Sequence, residues 1–216
     1  IHAWSKYVIR GGGGKLLVVD DGSTDDTFSI IKSCAQGHPE IIPITKPNSG
    51  HGATLLFGYR YALSHGADYI FQTDSDGQTR PEEFPAFWAL RHDYDAVLGK
   101  RPHREDGLAR KLVERILCLT VKAVFGVSVP DANAPFRLMK AELVRKYINR
   151  LPENYNLPNV MLTTYFAYYH EQITFREITF RPRQGGRNFI NMRRIVKIGC
   201  QAVKDFARFR RDMKNA

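Results

Sequence analysis

The sequence predicts an α/β protein built on a largely parallel sheet with helices on both faces, and three observations carry that prediction. Short apolar runs, β-branched in places, alternate with longer amphipathic segments, the pattern of strands joined by crossover helices. Two of the runs stop at clusters of carboxylates, at 20–21 and 74–76, and ligands bind at the carboxyl ends of strands in sheets of this kind. The 216 residues, 43% apolar and 12% aromatic, suffice for one domain with a sizeable core.

Residues 16–19 form an apolar run that stops at Asp20, Asp21 and Gly22, which reads as a buried strand entering a loop. Ser23 and Asp26 suggest a capping box for a helix over about 24–34. A second strand is expected at 41–45, followed by a glycine-punctuated turn and a helix over 55–64. The third strand covers 68–73, with Asp74 directly after it. Next come a helix near 81–91, a strand at 96–98, a long helix at 108–125, and helices near 142–148 and 160–169. The four glycines at 11–14 read as a flexible connection.

No stretch reaches 18 uninterrupted apolar residues, and the start lacks the charged, apolar and small-residue order of a signal peptide. Three cysteines, far apart and odd in number, suggest neither a disulfide framework nor a zinc site, so a cytoplasmic setting fits. The net charge of +10 is concentrated: residues 176–216 hold twelve Lys or Arg against three acids. Such a cluster implies an anionic partner, whether a phosphate-bearing substrate, anionic lipid or nucleic acid. Within it, Met192, Ile195, Val196, Val203, Phe206 and Phe209 recur at near-helical spacing among Lys and Arg. The segment 191–216 is therefore expected to be a basic amphipathic helix beyond a domain spanning 1–190. It either lies on the anionic inner face of a membrane, as a peripheral anchor, or packs on the core with its basic face in water. Nucleic acid is the less favoured partner, because no recognised fold motif or aromatic stacking platform accompanies the charge.

Crowded carboxylates repel and raise each other's pKa unless a cation or donor groups compensate. Asp74 and Asp76 stand within reach of one hard divalent cation, Mg²⁺ or Mn²⁺, and Gln78 can supply a third oxygen. Such an ion bridges phosphate oxygens and stabilises a departing diphosphate. Taken alone, Asp-x-Asp is also a common turn sequence; its place after an apolar strand favours the metal. For Asp20 and Asp21 the plain alternative is charge complementarity to a helix N-terminus. Asn48, Gly50 and Gly52 precede a helix, where small residues let backbone approach a ligand closely.

In order and spacing, VVDDGSTDDT at 18–27, NSGHGA at 48–53 and DYIFQTDSDGQ at 68–78 resemble the family 2 glycosyltransferases. LGKR at 98–101, DANAPFRLM at 131–139 and FRPRQGG at 180–186 are similar to the polyprenyl-phosphate branch, the dolichyl-phosphate mannose synthase-like enzymes. The resemblance runs from about 16 to 191. It implies a Rossmann-like domain of the glycosyltransferase A type, a nucleotide-sugar donor linked to UDP, GDP or dTDP, and inversion at the anomeric carbon.

By the same resemblance, Asp21 contacts the base or ribose, with Asp20 beside it, while Asp74, Asp76 and Gln78 hold the metal. Arg101 and Arg110 match the arginines that meet the acceptor phosphate, and Arg183 matches an arginine near the donor diphosphate. The planar guanidinium fork suits both tasks. Asp131 falls where relatives acting on hydroxyls carry their base; with a phosphate acceptor it would instead orient Arg137 or the acceptor loop.

Some positions depart from the pattern. His51 replaces the usual Lys, Asn188 a Ser, and Glu114 a Ser four residues after Arg110. Glu114 either points away from the acceptor or signals an acceptor other than a simple polyprenyl phosphate. The first-strand motif of the family is absent, so the sequence is expected to begin inside the domain, with 1–10 as the tail of a helix. The activity expected is inverting transfer to a polyprenyl phosphate at the cytoplasmic membrane face. The alternatives are transfer to a saccharide hydroxyl with Asp131 as base, and a non-catalytic nucleotide-sugar or membrane-binding module.

Overall fold

The computed structural model describes residues 1–10, 13–102, 108–182 and 192–214. In chain order these form α1 (His2–Arg10), β1 (Leu16–Asp20), α2 (Thr27–Ala35), β2 (Ile41–Thr45), α3 (His51–Ser64) and β3 (Tyr69–Thr73). A 3₁₀ turn (Pro81–Glu83), α4 (Phe84–Trp88), β4 (Ala96–Lys100), α5 (Leu108–Phe125) and β5 (Phe136–Lys140) follow. The chain ends with α6 (Ala141–Ile148), α7 (Pro158–Tyr168), β6 (Ile173–Glu177) and α8 (Met192–Lys214).

Among the described residues, β1 pairs with β2 in parallel, and a four-stranded sheet runs β3-β5-β4-β6. In the larger sheet β5 is antiparallel to both β3 and β4, while β4 and β6 are parallel. The architecture is thus α/β and mostly parallel, with one reversed strand. Pro43 sits in β2 opposite Val18, at a sheet edge, where a missing N–H is tolerated.

The two-residue period of the strands divides the core between the faces of the larger sheet. Ile70, Ala96, Leu98 and Met139 join the larger cluster with Leu56 and Tyr59 of α3, Val121 and Phe125 of α5, and Val160, Tyr165 and Phe166 of α7. On the other face Val97, Phe136 and Leu138 meet Phe87, with Trp4, Phe71, Phe84 and Trp88 packed around them. Phe136 makes edge-on ring contacts with Phe71 and Phe87, both at 4.7 Å between centroids.

The C-terminal half of α8 belongs to the larger cluster. Ala202, Phe206, Phe209 and Met213 are buried there, with Phe206 edge-on to Phe125 and Phe209 edge-on to Tyr155. These apolar residues thus face the protein interior, while Lys204, Arg208 and Arg211 are exposed.

Several elements differ from expectation. α2 begins at Thr27, and no capping box forms: Asp26, at the N-cap position, makes no side-chain cap bond. The Ser23 N–H instead donates to the carboxylate of Asp20 at 3.2 Å, and the Thr27 N–H to Asp25 at 3.0 Å. The helix expected at 81–91 is a 3₁₀ turn followed by a five-residue helix. Pro85, in the first turn of α4, closes off continuous helix from the preceding residues. Two strands were not foreseen. β5 carries Arg137 at a core position, and β6 is only partly buried, so neither shows the apolar pattern of a strand.

Candidate active site

The reversal of β5 assembles the site. Thr73 pairs with Phe136 and Leu98 with Arg137. The segment leading into β5, residues 131–135, therefore lies at the same end of the sheet as the loops that leave β3 and β4. Asp74, Arg101 and Asp131 come from three strands yet gather at one sheet end.

At the end of β1, Asp20 is buried and accepts from the Thr45 hydroxyl at 2.7 Å. Hydrogen bonds from Ser23 and then Thr45 hold its carboxyl below the ordinary range. Asp20 braces the loop. Asp21 joins this loop to the one before α3: Oδ1 accepts from the Ser49 N–H at 3.0 Å and pairs with Lys46, and Oδ2 accepts from the Gly50 N–H at 2.9 Å. Burial raises its pKa, but Lys46 and the Ser49 amide outweigh that and keep it low. The close seam between the two loops requires Gly22: its φ is +70°, and a Cβ there would lie 2.8 Å from the Asn48 nitrogen.

Gly50 and Gly52 have different reasons to be glycine. Gly50 has φ +88° and open space around it, at the N-terminus of α3. A Cβ on Gly52 would stand 2.3 Å from the Tyr155 carbonyl oxygen. It is the protein's own backbone, and no ligand, that demands the small residue at 52.

Asp74 and Asp76 leave β3 on a short loop. Asp74 Oδ1 accepts from Gln72 Nε2 at 3.4 Å and lies 3.8 Å from His51 Nε2. Asp76 Oδ1 accepts from the Gln78 N–H at 3.2 Å, the Asx turn that this sequence also encodes. Gln78 is buried, and its amide nitrogen donates to the Arg181 carbonyl at 2.9 Å. The Arg181 N–H returns to the Gln78 carbonyl at 2.9 Å.

Among the described residues, no three His, Cys, Asp or Glu side chains are grouped to hold a metal ion. Two carboxylates do fit Mg²⁺ or Mn²⁺ held partly by protein and partly by phosphate and water. Behind the loop lies a buried polar network. Tyr59 donates to Asn159 Oδ1 at 3.1 Å, Asn159 donates to Gln72 at 3.3 Å, and Arg137 donates to the Asn159 carbonyl at 3.2 Å and to Thr163 Oγ1 at 2.9 Å.

Beyond β4, Asp131 grips Arg101 in a bidentate pair, with Nε to Oδ2 at 2.7 Å and an η nitrogen to Oδ1 at 2.8 Å. The Arg101 N–H and the Asn133 N–H also donate to this carboxylate, at 3.2 and 3.1 Å. Asp131 therefore orients Arg101; Arg137, the partner considered from sequence, is engaged elsewhere. Burial raises the pKa of Asp131, and the hydrogen bonds and charge of Arg101 more than reverse this. The Arg101 guanidinium also lies over the Phe180 ring at 5.0 Å. Phe180 adjoins Arg181, so one segment connects the aspartate loop to Arg101.

Glu114 points inward. It lies 3.5 Å from an Arg101 η nitrogen and accepts from the Ala132 N–H at 3.1 Å. Burial first, and then the charge of Asp131, push its carboxyl up. Arg110 falls in α5, but its side chain, like the whole of Arg183, lies outside the described residues.

The family model described as Glycosyl transferase family 2 matches residues 15–148, more than half of the chain. The chain belongs to glycosyltransferase family 2. It is 27% identical over 139 residues to an undecaprenyl-phosphate 4-deoxy-4-formamido-L-arabinose transferase of Yersinia enterocolitica, an overlap covering 62% of this chain and 41% of that protein. It is 28% identical over 138 residues to an undecaprenyl-phosphate mannosyltransferase of Micrococcus luteus, covering 60% and 56%. The chain thus spans about half the length, or less, of the curated relatives it matches.

In fold it is similar to glucosyl-3-phosphoglycerate synthase from Mycobacterium tuberculosis in complex with Mn²⁺, UDP and glucosyl-3-phosphoglycerate. The TM-score is 0.62 at 19% identity, covering 92% of this chain and 69% of the other. The family 2 domain accordingly has the glycosyltransferase A fold. Sequence reading passed over Lys46, the partner of Asp21, and gave no role to His51 beside Asp74. The departure of Glu114 from the family pattern was the one signal that pointed to its place against Arg101.

Proposed function

We propose that this family 2 domain transfers a sugar, with inversion, from a nucleotide-diphospho-sugar to a polyprenyl-phosphate acceptor at the cytoplasmic face of a membrane. One observation carries the choice of acceptor. Asp131 is engaged by Arg101 through two hydrogen bonds, which lower its pKa and make it a weak base, and this favours an acceptor oxygen that arrives already ionised. A phosphate monoester meets that condition better than a saccharide hydroxyl. The names of the undecaprenyl-phosphate relatives support the same reading.

In this reading the loops around Asp20, Asp21, Asn48, Gly50 and Gly52 seat the nucleotide. Asp74 and Asp76, with Gln78 in the same loop, hold Mg²⁺ or Mn²⁺, which would supply charge stabilisation to the departing diphosphate. Arg101 and Arg110 receive the acceptor phosphate, and Arg183 serves the donor diphosphate. A phosphate oxygen attacks the anomeric carbon opposite the leaving group. The bond from that carbon to the diphosphate oxygen breaks, and no proton moves.

The test is a screen of UDP-, GDP- and dTDP-sugars against a short, water-soluble polyprenyl phosphate and a saccharide, with and without Mg²⁺ or Mn²⁺. One donor is expected to react with the phosphate acceptor alone, only with metal, and at least about 100-fold more slowly in Asp76→Ala, the scale seen when a group stabilising developing charge is removed. Metal-independent transfer that survives Asp76→Ala, or preference for the saccharide, sinks the reading.

A further inference from the structure

The large apolar side chains left exposed among the described residues are not scattered. Leu112, Val113, Ile116 and Leu119 lie on α5, and Ile198 and Val203 on α8; only Ile30 lies elsewhere. The two helices pack against each other through Phe125 and Phe206. Leu112, Ile116 and Leu119 are each more than half exposed and share one side of α5 at helical spacing. Glu114, Cys118, Val121 and Phe125 occupy the opposite side and face the interior. Solvated helices carry polar residues on such an outer face.

Charge follows the same two elements. α5 and α8 together hold twelve Lys or Arg and three acids, nearly the whole +10 excess of the chain. Lys111, Arg115 and Lys122 border the apolar stripe on α5, and Lys204, Arg208 and Arg211 are exposed on α8.

We propose that the outer face of α5, extended by Ile198 and Val203 of α8, is the surface by which this domain docks on an anionic bilayer. A second copy is the wrong occupant, because the face would set its own positive charge against itself. A nucleic acid would meet the basic residues and leave Leu112, Ile116 and Leu119 in water. An anionic membrane satisfies both, taking the apolar stripe into the acyl boundary and the basic border among the headgroups. The helix that carries this stripe holds Glu114 against Arg101 on its inner side, so docking would bring the acceptor end of the site to the headgroup layer. α8, read from sequence as a candidate lipid-facing element, contributes mainly its basic face, since its C-terminal apolar residues are inside the core.

This inference rests on the reading of the acceptor as membrane-borne, and its test is separate. The chain is sedimented with vesicles of phosphatidylglycerol and phosphatidylcholine, and with phosphatidylcholine alone. Binding is expected for the anionic vesicles only, weakening as salt screens the charge. Combining Leu112→Ser, Ile116→Ser and Leu119→Ser is expected to weaken it at least about tenfold, consistent with three large apolar side chains leaving the lipid. Turnover of the short, water-soluble acceptor stays unchanged, which also shows that the variant is folded. In Ile116→Trp the added indole emission is expected to shift to the blue with anionic vesicles. Equal binding by parent and triple variant, absence of anionic binding, no spectral shift, or a dimer that the triple variant dissociates would each overturn the surface. Turnover failing with every acceptor while vesicle binding persists would instead overturn the glycosyl-transfer reading and leave this surface standing.

Discussion

Two carboxylates organise the two ends of this site by different means. Asp21, at the end of β1, is ringed by the Ser49 and Gly50 N–H groups and Lys46, and water reaches the loops around it. Asp131, in the segment leading into β5, is almost wholly buried, and Arg101 is the cation that compensates it. The first arrangement is a seam between two loops that solvent can help to satisfy. The second places a charge where only its partner makes burial tolerable, so geometry and stability are tied together.

The largest expected effect breaks the second arrangement. Asp131→Ala leaves Arg101 buried without its bidentate partner, with only Glu114 at 3.5 Å as the neighbouring acid, and is expected to cost about 3–5 kcal/mol, the penalty for breaking a buried pair by removing one partner. Urea unfolding measures it, and a loss below about 1 kcal/mol, the scale of a surface pair, would mean that Arg101 escapes to water. Asp21→Ala is expected to cost less, about 1–2 kcal/mol, because Lys46 and the loop amides regain water in exchange for charge-assisted bonds. If the two variants lose the same amount, the contrast between the ends fails.

The finest test is pH. The raised pKa of Glu114 means that the folded state keeps a proton that the unfolded state loses above about 4.5. That stabilisation is full below this value and disappears as pH rises through the folded pKa. Asp131 acts in the opposite sense: its contribution is present above 3.8 and lost as pH falls through its lowered folded value. Glu114→Gln should therefore gain stability relative to the parent as pH rises, measured by urea unfolding between about pH 4 and about pH 8. Parallel curves would place Glu114 in water rather than against Arg101.

How far the sequence foretold these ends follows from the same physics. β1, β2, β3 and β4 are apolar runs ending in turn residues, and α5 shows its period plainly, so their places were legible to within a few residues. β5 was not, because Arg137 occupies a core position that a hydrophobic pattern cannot announce; its burial is made possible by Ala134, Asn159 and Thr163, the last two distant in sequence. The acidic loop at 74–76 could be found because both carboxylates follow one strand. The Arg101–Asp131 pair joins residues thirty positions apart, and only the antiparallel course of β5 brings them together. The Ser23 and Asp26 capping box failed because Asp20 competes for the Ser23 N–H.

The backbone against Gly52 has a consequence for any library built on this domain. An added methyl group would meet the Tyr155 carbonyl and the Asn156 backbone, and main chain cannot rotate aside as a side chain does. Saturation at position 52 should therefore return glycine alone. Position 50 has open space around it, but its φ of +88° and ψ of 159° fall in a region essentially closed to side-chain-bearing residues, so it too should return glycine. Two glycines of one short motif would thus be held for different reasons, one by volume and the other by handedness.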